Sequence, residues 1–155
     1  NGKLTKIKYC MKIYIDTSSL NRIFDDQTQG RIYLEASAML LVFSLIENRE
    51  VDIVASDVLI FENSKNPYEE RKLFVNAVLK HAKQFQIVDE KILKKVQRIE
   101  TLGIKGIDAL HLACAEESGV DTFISCDDKI IKQYNGRLKA INPIEFARNI
   151  LHGEM

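Results

Sequence analysis

Four acidic side chains sit where carboxylates can do chemistry. Asp16 follows the short apolar run Lys12–Ile15, and Asp127 follows a second such run, Asp121–Ser125. Asp108 lies in the first turn of the helical segment Ile107–Ser118, and Glu62 falls one to two turns into the helical segment after Val51–Ala55. Singly, each has an ordinary reading. An Asp after a strand is a common turn residue or helix cap, an Asp near a helix start favours the helix dipole, and a Glu is usually solvated. If the runs form a parallel sheet, however, Asp16, Asp108 and Asp127 share one end of it, with Glu62 in reach. Like charges packed there repel unless a cation neutralises them. A site made only of carboxylate oxygens suits Mg²⁺ or Mn²⁺ better than zinc. The usual work of such a cluster is phosphodiester chemistry, in which metal ions activate water and stabilise the leaving oxygen.

The elements that must position these acids alternate in type. Strands are expected at Lys12–Ile15, Val51–Ala55, Phe85–Val88, Asp121–Ser125 and Leu138–Ile141. Helices are expected at Arg31–Asn48, from Ser56 or Asp57 to just before Asn66-Pro67, at Tyr68–Lys83, from an Asp89 cap through Thr101, and at Ile107–Ser118, where Gly119 supplies the stop. Asn142-Pro143-Ile144-Glu145 reads as a cap, a proline in the first helical position and a Glu at the third. Strands alternating with helices imply a parallel sheet covered on both faces. Ligands of such sheets lie beyond the carboxyl ends of the strands, at the topological switch point.

Composition narrows the class. The chain has 155 residues, 46% hydrophobic and 28% charged, which fits one globular domain of roughly 100–200 residues. Its 22 basic and 22 acidic side chains give zero formal net charge, which excludes a protein that coats nucleic acid by charge alone. No run reaches the roughly 18 apolar residues of a membrane span. Three cysteines cannot all pair, so a reduced, cytoplasmic thiol protein is the expectation. The first ten residues carry three lysines and no apolar block, too polar for a signal peptide. Met11 is the expected natural start, with residues 1–10 a leader or upstream extension and the domain spanning 11–151.

Other arrangements fall short of a site. Asp16-Thr17-Ser18 lacks the second acid, two residues on, that an aspartyl-phosphate phosphatase loop requires. No His has an Arg five positions before it, which removes a metal-independent Arg-x-x-x-x-His ribonuclease. His111 and Cys114 have half a zinc-site spacing but no second pair to complete it. His111 is therefore expected to pack and hydrogen-bond in its helix, and Cys114 to be a small core residue. Cys126, beside Asp127, would be reactive if exposed.

The chain resembles the PIN-domain family of metal-dependent ribonucleases, which includes VapC-type toxins. The resemblance rests on Ile13-Tyr14-Ile15-Asp16-Thr17-Ser18, Ser56-Asp57-Val58-Leu59-Ile60-Phe61-Glu62, Ile107-Asp108-Ala109-Leu110-His111-Leu112-Ala113 and Phe123-Ile124-Ser125-Cys126-Asp127-Asp128-Lys129, in the family's order. It implies a three-layer α/β/α fold around a parallel sheet of about five strands. It also implies that Asp16, Asp108 and Asp127 hold one or two Mg²⁺ or Mn²⁺ ions, with Glu62 the fourth acid. Thr17, Ser18, Ser125 and Asp128 would stand around them, and Glu35 is a further candidate to face the site. The implied reaction is hydrolysis of RNA phosphodiester bonds to 5′ phosphate and 3′ hydroxyl products, with Lys65, Arg71, Lys72, Lys105, Lys129 and Lys132 available to phosphates.

The leading expectation is thus an endoribonuclease, the toxin of a type II toxin–antitoxin pair, with RNA as substrate and an antitoxin protein and a second copy of the chain as partners. The alternative is a catalytically weak PIN-fold module for RNA binding or assembly. Arg31–Asn48 bears on the partners. Leu34, Met39, Leu40, Leu41, Val42, Phe43 and Leu45 are more than one core-facing stripe needs, so this helix is either buried on two sides or offers an interface.

Overall fold

The computed structural model describes residues 10–153. The expected leader therefore lies almost wholly outside the described residues. Five strands form one sheet in the order β3-β2-β1-β4-β5. They are β1 (Met11–Ile15), β2 (Val51–Ser56), β3 (Gln84–Gln86), β4 (Thr122–Ile124) and β5 (Lys139–Ile141). Every neighbouring pair is parallel. The helices are α1 (Thr17–Leu20), α2 (Gly30–Glu47), α3 (Asp57–Ser64), α4 (Glu69–Leu79), α5 (Glu90–Glu100), α6 (Gly106–Ser118), α7 (Asp128–Gln133) and α8 (Pro143–Leu151), with a 3₁₀ turn at Arg22–Phe24. This is the three-layer α/β/α architecture expected, in which α2 packs on α8, α5 packs on α6, and both α2 and α6 lie against β2.

A strand covered on both faces must be apolar on both, and β1 is. Ile13, Tyr14 and Ile15 are all buried. Registry places Ile13 beside Ile53 of β2 and Thr122 of β4. From β1 the chain goes outward through β2 and β3, then returns to the other side of β1 with β4. The switch point is therefore the crevice between β1 and β4.

Local chemistry sets the boundaries. Ser56, not Asp57, caps α3, its hydroxyl accepting the N–H of Leu59 at 3.1 Å. Asp89 caps α5 and Asn142 caps α8, where Pro143 takes the first helical position. Gly119 ends α6 with φ of 78°, a left-handed conformation glycine adopts freely. α4 stops at Leu79 rather than Lys83, because the Lys83 N–H donates to Ile53 at 3.2 Å and draws the chain onto the edge of β2. The third strand then pairs Gln84–Gln86 with Val54–Ser56, shifted from the expected Phe85–Val88. The segments α1, the 3₁₀ turn and α7 were not expected.

α2 resolves the question its sequence raised only in part. Ala36, Ala38, Met39, Val42 and Ile46 are buried, while Tyr33, Leu34 and Leu40 remain exposed. The helix is packed by its neighbours and still offers an apolar face.

Candidate active site

Asp16 stands one residue beyond β1. Its N–H donates to Ile124 at 3.0 Å, extending the β1–β4 pairing to the switch point. Its Oδ1 accepts the Ser19 N–H at 3.0 Å and the Ser18 hydroxyl at 2.8 Å, capping α1. Asp127 lies across the crevice, beyond β4. Its N–H donates to Ser125 Oγ at 3.0 Å, and its Oδ1 caps α7 by accepting the Lys129 N–H at 2.9 Å. The structural reading and the chemical one thus hold together: both acids are helix caps, and capping fixes their orientation. Asp108, in the first turn of α6, and Glu62, in the second turn of α3, reach the same place. Asp16, Thr17, Ser18, Glu62, Asp108, His111 and Asp127 line one cavity of about 80 Å³.

The carboxylates feel each other. Burial, then the charges of Asp127 and Asp16, push Asp108 above the ordinary Asp range. Burial raises Asp16 too, although hydrogen bonds from Ser125, Ser19 and Ser18 oppose it. Glu62 goes the other way: burial would raise it, but hydrogen bonds from His111 and Thr17 bring it below its ordinary value. The His111 Nε2 lies 2.7 Å from Glu62 Oε1, and the Thr17 hydroxyl donates to the same oxygen.

The donor set is all oxygen apart from the His111 ring, which is already engaged, and it is anionic. That chemistry fits a hard divalent cation. Among the described residues, no three His, Cys, Asp or Glu side chains are gathered closely enough to grip an ion by themselves. Mg²⁺ does not demand that, since it keeps several waters and takes one or two carboxylates directly.

The residues expected around the acids divide. Thr17, Ser18 and Ser125 bond the acids, as described. Asp128 is exposed and turned to Arg31, which binds both its oxygens. Glu35 does not line the cavity. It is fully buried and held by Arg22 at 2.8 Å, Arg31 at 3.0 Å and the Asn142 amide, so its charge is spent on joining α2 to the 3₁₀ turn and α8. Arg71 is likewise committed, to Asp25 at 3.0 Å and the Phe24 carbonyl at 2.9 Å. Lys65 lies 5.3 Å from the centre of the Phe61 ring, and Lys72 lies 3.9 Å from Glu69. Lys105, Lys129 and Lys132 are exposed around the helices that carry Asp108 and Asp127. Cys126 is buried and its thiol is pushed up to about 11 by burial, which leaves it protonated and inert. Cys114 is a buried core residue, as expected.

His111 packs and hydrogen-bonds as expected, and it also lines the cavity. Tyr14, which the sequence did not single out, backs it, with Oη 2.7 Å from His111 Nδ1 and 2.7 Å from Ser56 Oγ. Spacing held a partial signal: His111 is three residues from Asp108 on one helix face, and Tyr14 is two residues before Asp16, which continues the extended backbone of β1.

An all-parallel α/β fold with a carboxylate cavity at its switch point belongs to the class of proteins that work on ligands beyond strand ends. The model of the PIN domain family matches residues 13–136, which include all four acids, and the chain belongs to that family. Its members are in general nucleases that use divalent metal ions. No curated protein matches the chain. Among solved structures, the VapBC2 complex from Rickettsia felis bound to a DNA fragment from its promoter is similar, with TM-score 0.55 and 17% identity, over 85% of this chain and 98% of that one. PAE2754 from Pyrobaculum aerophilum gives TM-score 0.55 and 14% identity, over 93% of this chain and 99% of that one. At these identities the likeness is one of fold.

Proposed function

We propose that this protein is a Mg²⁺- or Mn²⁺-dependent endoribonuclease, the toxin half of a type II toxin–antitoxin pair, working as a single domain over residues 11–151. The observation that carries the reading is the convergence of Asp16, Asp108, Asp127 and Glu62 on one cavity at the β1–β4 switch point. Membership of the PIN domain family supports it.

In this reading Asp16, Asp108 and Asp127 would hold the metal, in part through its own waters, with Glu62 beside them. The bound ion supplies Lewis acidity for activating water and for the leaving oxygen. The chain supplies the rest. Backbone caps on Asp16 and Asp127 hold two carboxylates still. Thr17 and His111 keep Glu62 ionised as an acceptor. Exposed Lys105, Lys129 and Lys132 offset phosphate charge around an acidic centre. The exposed Tyr33, Leu34 and Leu40 of α2 support a protein partner, either a second copy or an antitoxin. The fold likeness to a VapBC pair supports the antitoxin in particular. No helix among the described residues is long and apolar enough to cross a membrane, and cytoplasmic action is part of the proposal.

The test is degradation of an end-labelled RNA pool of mixed sequence, with Mg²⁺, Mn²⁺ or a chelator, by the wild type, Asp16→Asn and Asp108→Asn. Cleavage that needs metal and disappears in both variants is expected. Equal rates in all three proteins contradict the reading, and RNA binding without turnover favours the assembly-module alternative.

A further inference from the structure

A hydrogen-bond chain begins and ends on α3. Ser56 Oγ, at the cap of that helix, meets Tyr14 Oη at 2.7 Å. Tyr14 Oη meets His111 Nδ1 at 2.7 Å, and His111 Nε2 meets Glu62 Oε1 at 2.7 Å, in the second turn of the same helix. The two intermediate links come from β1 and α6, the elements that carry Asp16 and Asp108. Each element bearing one of these acids therefore contributes one member to a relay that runs from the cap of α3 to its second turn.

The donors can be assigned. An ionised carboxylate only accepts, so Nε2 of His111 carries the hydrogen and donates to Glu62. Nδ1, without a hydrogen, is left to accept from the Tyr14 hydroxyl 2.7 Å away. Ser56 Oγ accepts the Leu59 N–H, which fixes it at the cap of α3. Tyr14 is wholly buried, stacked on Phe123 with ring centres 5.5 Å apart, so neither its ring nor its hydroxyl can swing away.

We infer that Tyr14 and His111 are positioning residues for Glu62, fixing its carboxylate relative to Asp16 and Asp108 for a divalent cation. This rests on the nuclease reading of the same cavity. Tyr14 touches no reacting group; it acts by locking the ring plane of His111, which in turn sets Glu62.

Two measurements test it. In the metal-free protein, ¹⁵N-resolved imidazole spectra are expected to show a slowly exchanging Nε2–H for His111 that is lost in Glu62→Ala. A hydrogen found only on Nδ1 overturns the assignment. Mn²⁺ affinity by calorimetry is then compared in the wild type, Tyr14→Phe, Glu62→Gln and the double variant. Tyr14→Phe is expected to weaken Mn²⁺ binding about 10-fold, the scale of an outer-shell partner, and to have no further effect once Glu62 is Gln. Equal affinity of Tyr14→Phe and wild type, or the same fold loss in both backgrounds, overturns the positioning role. If Tyr14→Phe does not fold, His111→Gln and His111→Ala replace it. Gln keeps a donor for Glu62 and is expected to retain more Mn²⁺ affinity than Ala, and equal losses overturn the role. A wild type that takes up no Mn²⁺ overturns the nuclease reading instead, and the imidazole spectra still decide whether the chain exists.

Discussion

Arg31 grips Asp128 through both carboxylate oxygens, at 2.6 and 2.7 Å, and its Nε lies 3.0 Å from the buried Glu35. One guanidinium thus ties the first turn of α2 to the residue following Asp127. Arg31→Ala frees the start of α7, and with it the orientation of Asp127. We expect cleavage to fall about 10-fold or more, since small misplacements of reacting groups are costly. Stability should fall as well, because Arg31 also holds the fully buried Glu35, and removing one partner of a buried charge is costly. Denaturation by urea beside a cleavage rate separates the two effects.

Asp16 serves both a helix and a site, and substitution can divide the roles. Asn caps a helix about as well as Asp, whereas Ala costs about 1 kcal/mol. Asn keeps the cap and removes a carboxylate whose burial opposes ionisation, so Asp16→Asn is expected to melt no lower than the wild type and to lose at least about 100-fold in cleavage, the scale of a missing electrostatic contact in a transition state. Asp16→Ala loses both. Thermal melts of the two variants check the distinction.

Asp108 predicts a pH dependence. Burial and its acidic neighbours hold its folded pKa above the ordinary value of 3.8. Its ionisation therefore opposes folding: no cost falls below the unfolded pKa, and the cost grows as pH rises through the raised folded value. In the absence of metal, Asp108→Asn should be the more stable protein at neutral pH. The gain is about 1 kcal/mol at most, because solvent screens a half-exposed group. It should vanish as pH falls below the ordinary Asp range. Melting temperatures of both proteins across that range check the sign.

Gly119 sits at φ of 78° at the end of α6, with open space where a Cβ would point. Conformation is then the whole cost. Gly119→Ala should lose about 1–2 kcal/mol by urea denaturation, with the cleavage rate per folded molecule unchanged.

What the sequence disclosed follows a physical division. Strands flanked by turn residues, and helices with an Asp89 or Asn142 cap, are local patterns, and the chain carries them plainly. So is an acid just beyond a strand, which is why Asp16 and Asp127 stood out. α7 was missed because six residues are too few for an apolar repeat to show, and α1 because its cap is the same Asp16 that reads as a site residue. The short third strand shifted because pairing with Val54–Ser56, not its own residues, sets its limits. Glu35 could not be placed, since Arg22, Arg31 and Asn142 reach it from separate elements. The Tyr14–His111 contact spans 97 residues of chain. Such a pairing exists only once β1 and α6 are packed.

The most direct test of a metal-dependent site is calorimetric titration of Mn²⁺ into the wild type and Asp108→Asn, because it needs no knowledge of the RNA target. Saturable binding by the wild type that is lost in the variant is the result expected here. Absence of binding in both proteins, or the same isotherm from both, would contradict a metal site built on these carboxylates.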